Sequence, residues 1–110
     1  MLSRVAREMS RMPPIQVPGH SSFPSGHATQ AHLIAECAKL VLSTPVKAAL
    51  SADLDALAGR IARNREIAGL HYRSDSTAGS NLAVAILGIL NSVAMPTFTT
   101  AVTAAQAEWP

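Results

Sequence analysis

Residues 23–32 read FPSGHATQAH. A proline, a hydroxyl, a glycine and a histidine stand in a row and give way to helix-forming residues, which predicts a helix capped by Ser25 or Gly26. The first-turn N–H groups of such a helix point out of its end, beside the Ser25 hydroxyl and the His27 ring, and an end of this kind attracts oxyanions. Gly26 lets the backbone approach a ligand where a side chain would intervene. An ordinary cap accounts for the same residues, with Ser25 satisfying a backbone donor and His27 lying on the surface.

Outward from this junction the pattern is helical. Ala31, Ala35, Ala38 and Leu42 fall one turn apart, which predicts a helix over 27–42 that ends at Ser43, Thr44 and Pro45. Two starts compete for the next helix: Thr44 before a first-turn Pro45, or the cluster Ser51, Asp53 and Asp55. Either leads to an end near Ala68. A third helix is expected from about Ser76 to Ala94, closed by Pro96. The tail FTTAVTAAQAEWP suits helix or strand. On the N-terminal side, LSRVAREMSR (2–11) fits a short basic amphipathic helix, and MPPIQVPGHSSFP (12–24) holds four prolines and reads as an extended loop. There is no repeat, low-complexity tract or dividing linker. The expectation is one all-α domain over 1–110, with the basic helix and proline-rich loop in 1–22, the motif-bearing helices in 23–95 and a tail in 96–110.

Composition agrees with helix. Of the 110 residues 48% are apolar and only 4% aromatic, and alanine and leucine supply most of the apolar surface. A net charge of +2, with no basic run, argues against a nucleic-acid partner. The single Cys37 forms no internal disulfide, leaves the compartment open, and reads as a core residue one turn from Leu33 and Leu40. The N-terminus lacks the charged, apolar and cleavage regions of a signal peptide. Residues 78–107 carry no charge, but the longest uninterrupted apolar run, LAVAILGIL, falls far short of the roughly 20 residues a membrane span needs. A buried helix is expected there.

The second informative stretch is ARNREIAGLHYRSD, residues 62–75. At about 100° per residue, Leu54, Leu57, Ala58, Ile61, Arg65 and Ala68 share one stripe, so Arg65 points where the core should be. Arg60 and Arg63 fall off the stripe, in solvent. An inward arginine keeps its charge and needs a carboxylate or a bound anion. His71 follows six positions later and Asp75 four beyond it. A carboxylate on one imidazole nitrogen would fix the tautomer and leave the other nitrogen as nucleophile or ligand. Asp75 or Ser74 could equally start a helix.

Together, Pro24-Ser25-Gly26-His27 and Arg65-x5-His71-x3-Asp75 resemble the second and third signature motifs of the superfamily that joins vanadium-dependent haloperoxidases to type 2 phosphatidic acid phosphatases and bacterial acid phosphatases. Order and internal spacing both agree. The flanking text looks most like the bromoperoxidases, where a further histidine precedes the serine motif as His20 does here. The resemblance implies a helical bundle of that type, with vanadate as cofactor bound through a ring nitrogen of His71. Ser25, Gly26, Arg65 and His20 would surround its oxygens, and His27 would be the acid-base partner, with Asp75 supporting His71. Hydrogen peroxide and a halide would be the substrates. In the phosphatase alternative, His71 would attack a phosphoester and form a phosphohistidine intermediate.

The chain departs from the family at the first motif, a lysine followed seven positions later by Arg-Pro. Arg11 is followed by Met12, no lysine precedes it, and the first lysine is Lys39. The resemblance spans about residues 15–95 and implies the C-terminal part of a larger helical domain. Three expectations follow: weak oxyanion affinity, a homo-oligomer or a separate N-terminal half covering the exposed apolar faces, and, as a competing reading, a non-catalytic helical interaction module. A zinc site from His20, His27, His32 and His71 fits no usual ligand spacing, and His32 reads as a helix-surface residue.

Overall fold

The computed structural model describes residues 19–109. The expected helix over 2–11 and the stretch 12–18 lie outside the described residues. Within them the chain is helical: α1 Gly26–Val41, α2 Thr44–Ile67, α3 Arg73–Leu90 and α4 Pro96–Glu108, with no strand.

Helix α1 starts at Ser25, whose backbone is extended and whose side chain accepts from Ala28 N at 3.2 Å. Helix α2 takes the earlier of its two expected starts, with Ser43 as the cap residue and Pro45 in the first turn, where a missing N–H costs nothing. Ser51 is absorbed into this helix and donates its hydroxyl to Lys47 O at 2.6 Å. The end of α2 is chemically specified. Gly69 has φ 81°, a left-handed conformation open to glycine, and Gly69 N and Leu70 N reach back to Glu66 O and Arg65 O at 2.9 and 3.1 Å. This turn plants Leu70 in the core, fully buried, and sets His71 beside it. Gly69→Ala is expected to cost about 1–2 kcal/mol, the left-handed penalty for a residue with a Cβ, measurable by urea unfolding.

Two boundaries differ from the sequence reading. The third helix begins at Arg73, not Ser76, because Asp75 acts three positions inside the helix: its Oδ2 accepts from Tyr72 N at 2.8 Å. It ends at Leu90, not Ala94. Asn91 leaves helical geometry with ψ 37°, Ser92 donates its hydroxyl to Ile89 O at 2.7 Å, and Pro96 opens α4. The tail, which suited helix or strand, is helix.

Helix α1 is the hub, packed against α2, α3 and α4. The contacts are made by small residues: Ala28, Ala31 and Ala35 on α1, Ala58 and Ala62 on α2, Ala83 on α3. Small faces let backbones approach closely. They also correct the expected stripe on α2, since burial runs through Ala58 and Ala62 while Leu57 and Ile61 flank the contact at 55% and 37% exposure. Cys37 is half-buried and lines an apolar groove with Val41 and Trp109. Lys39 pairs with Glu36 and Asp55 and ties α1 to α2, and Gln106 donates to Leu40 O at 2.7 Å and ties α4 to α1. The chain measures 52 × 31 × 20 Å, and its thinnest dimension is two helix diameters. A slab of two layers leaves each helix one open face, so Ile34 on α1 and Val84 and Ile89 on α3 stand exposed, as does Val93 in the turn after α3. Among the described residues no helix is long and apolar enough to cross a membrane.

Candidate oxyanion site

The start of α1, the end of α2 and the turn before α3 meet at one place. Ser25 N donates to Asp75 O at 3.0 Å, which fixes the first residue of the α1 junction to the first turn of α3. His71 Nδ1 lies 2.8 Å from Ser22 O, a contact between segments 49 positions apart. A carbonyl accepts only, so Nδ1 carries a proton, and in the neutral ring Nε2 holds the lone pair. The sequence suggested Asp75 for this role. Its Oδ2 lies farther away, 3.4 Å from Nδ1, and its hydrogen bond goes to Tyr72 N. The tautomer is thus set by the 22–25 segment, with the Asp75 carboxylate nearby as charge support.

His27 is exposed at the mouth of this place. Burial lowers its pKa from the ordinary 6.5, and so do the nearby charges of Arg65, His71 and His20. The four side chains therefore share one electrostatic neighbourhood. Because the shift is downward, the unfolded chain binds more protons than the folded one as pH falls below about 6.5, and folding stability should drop there. Wild type should lose more melting temperature between about pH 7 and pH 5 than His27→Gln does.

Among the described residues two buried side-chain atoms have no hydrogen-bond partner: Arg65 Nε and Asp75 Oδ1. The first is a permanent donor without an acceptor, which is what a bound anion would supply. Arg60 and Arg63 are exposed, as expected, and Arg63 spends its charge on Glu66 at 3.0 Å. Gly26, at the α1 start, is open: a Cβ there would meet nothing within 4 Å. Ser25 caps α1, one of the two starts the sequence allows, and is fully buried; its oxygen accepts from Ala28 N, which leaves its O–H as a donor. His20 is exposed, with Nδ1 2.8 Å from Ser21 O. His32 lies elsewhere, in a groove with Arg73 and Ser80.

The sequence reading missed two residues that hold the site. A Cβ on Gly79 would sit 2.7 Å from Ser25 O, 2.9 Å from Ala28 Cβ and 3.0 Å from Thr29 N, so α3 can press against the α1 cap only because residue 79 has no side chain. Glu66, its side chain 10% exposed, accepts from Ser76 Oγ at 3.0 Å and bolts the end of α2 to the start of α3. An isolated glycine inside a helical pattern was the available signal for the first.

Among the described residues no group of three or more His, Cys, Asp or Glu side chains is placed to hold a metal ion between them. Vanadate asks for less, a single protein ligand to vanadium and donors to its oxygens. The Nε2 lone pair of His71, the orphaned Arg65 Nε and the open Gly26 backbone fit that request. No family model, curated protein or solved structure matches this chain.

Proposed function

We propose that this chain binds an oxyanion between His71, Arg65, Gly26 and His27, and that with vanadate it acts as a weak haloperoxidase using hydrogen peroxide and a halide. The observation that carries the oxyanion reading is the buried Arg65 Nε, left without an acceptor among the described residues, on a side chain whose charge acts on His27. Vanadate, when bound, supplies a Lewis-acid centre that activates hydrogen peroxide toward halide attack. Every other contribution belongs to the chain. His71 offers Nε2 because Ser22 O holds its other proton, and Arg65 and the Gly26 N–H neutralise negative oxygens at the mouth of a site whose floor, Ser22, Ser25, His71 and Asp75, is buried. His27, held toward the neutral form, takes up a proton and returns it. The presence of His20 in the same neighbourhood supports the haloperoxidase branch over the phosphatase one.

Each charged hydrogen bond is worth about 1.5–3 kcal/mol, and Arg65 is the permanent cation acting on His27 among the described residues, so affinity should be modest. Purified chain is expected to oxidise bromide or iodide slowly, with a rate saturable in vanadate and lost in His71→Ala. Hydrolysis of an aryl phosphate through His71, without halide oxidation, would select the phosphatase reading. Absence of vanadate-dependent turnover together with absence of anion binding would leave an interaction module.

Self-association belongs to the same proposal. The uncharged outer face of α3 from residue 78 onward, with Val84 and Ile89 exposed, and Val93 in the turn that follows suit a second copy of the chain. Sedimentation at low micromolar concentration should show a dimer or larger species, and a compact monomer with a concentration-independent unfolding midpoint would contradict it.

A further inference from the structure

On another part of the surface, α1, α2 and α3 enclose a groove of about 260 Å³ that the oxyanion site does not use. It exists because the residues facing it are small: Gly59 and Ala62 on α2, Ser76 and Ser80 on α3. Its volume lies below the roughly 300–1,000 Å³ of pockets for drug-sized ligands. Its lining is mixed, with Arg73, His32, Thr77 and Ser80 bringing polar groups from two helices, and none of these side chains makes a hydrogen bond or ion pair among the described residues. The one carboxylate there, Glu66, is already spent, one oxygen on Arg63 Nη1 and the other on Ser76 Oγ, each at 3.0 Å. What remains is a guanidinium, an imidazole and two hydroxyls without partners around a small concave space.

We propose that this groove is a second binding site, for a small hydroxylated organic anion. A guanidinium fork takes a carboxylate or phosphate in two parallel hydrogen bonds, and His32 adds a third donor. The hydroxyls of Thr77 and Ser80 both donate and accept, which suits an alcohol on the ligand better than a bare anion. An apolar ligand would strand all four groups.

The test uses the full chain and three probes, malate, citrate and glycerol 3-phosphate, with binding followed by calorimetry and by the His32 imidazole resonances. At least one probe should bind below about 10 mM, and the carboxylate and phosphate arms identify the anion. Arg73→Gln should weaken that probe by about tenfold or more, the loss of one charged contact, while His71→Ala leaves it unchanged. Gly59→Leu, at a position where a Cβ meets nothing within 4 Å, should fill the floor and abolish binding with the helical circular dichroism intact. Failure of all three probes would overturn the proposal. So would binding that survives Arg73→Gln and Gly59→Leu but vanishes in His71→Ala, which would put the ligand in the first site.

Discussion

Gly79→Val is expected to cost about 3 kcal/mol, the upper end of what over-packing a tight contact costs. The obstacle is rigid: the atoms a Cβ would meet are Ser25 O, Ala28 Cβ and Thr29 N, all within 3.0 Å and none at the end of a flexible side chain. To relieve the clash, α3 must retreat from α1, which strains the bond from Ser25 N to Asp75 O. Gly79→Ala should cost less, about 1–2 kcal/mol, because alanine recovers nearly 1 kcal/mol of helix propensity. Gly26→Ala is the matched control. Its Cβ meets nothing, so stability should stay within about 0.5 kcal/mol while anion affinity falls. Urea unfolding of the three variants reads the contrast directly. Equal stability of Gly79→Val and wild type would mean that α3 does not abut the α1 cap.

Asp75→Ala should cost about 2–3 kcal/mol. The carboxylate is fully buried, and its loss removes the charged acceptor of Tyr72 N, a hydrogen bond worth about 1.5–3 kcal/mol, and the negative charge 3.4 Å from His71 Nδ1. Asp75→Asn separates the two contributions. Its amide oxygen still accepts from Tyr72 N, so most of the stability should return, but the charge beside His71 does not. With Asp75→Asn the fold should therefore be largely restored and vanadate-dependent turnover should stay depressed. Recovery of both would assign Asp75 to helix capping alone.

The helices were legible because their punctuation is local. Ser25 before Gly26 and Pro45 after Thr44 act within one turn, and the structure starts helices at both. The start of α3 was misplaced for the opposite reason. Asp75 can cap from outside a helix or from three positions inside it, and its partner, Tyr72 N, is fixed only when Gly69 turns the chain and Leu70 is buried. The stripe on α2 was drawn from hydrophobicity, which ranks Leu57 above Ala62. Close helix packing reverses the order because alanine permits approach and leucine prevents it. At the site, helical geometry turned Arg65 inward, and its Nε is buried. Two features escaped: the Ser22 carbonyl on His71, a contact across 49 positions, and Gly79, whose need for no side chain is a property of two crossing helices.

An oxyanion site at the α1 junction requires that His71, His27 and Arg65 receive one anion. Vanadate should be titrated into isotopically labelled chain while the imidazole resonances of both histidines are followed. Both should shift with a single saturation curve, His27 should take up a proton as the anion offsets the positive charges that lower its pKa, and Arg65→Gln should weaken binding by about tenfold or more. Imidazoles of His27 and His71 that stay unmoved by vanadate, or that respond identically in Arg65→Gln, would contradict the site.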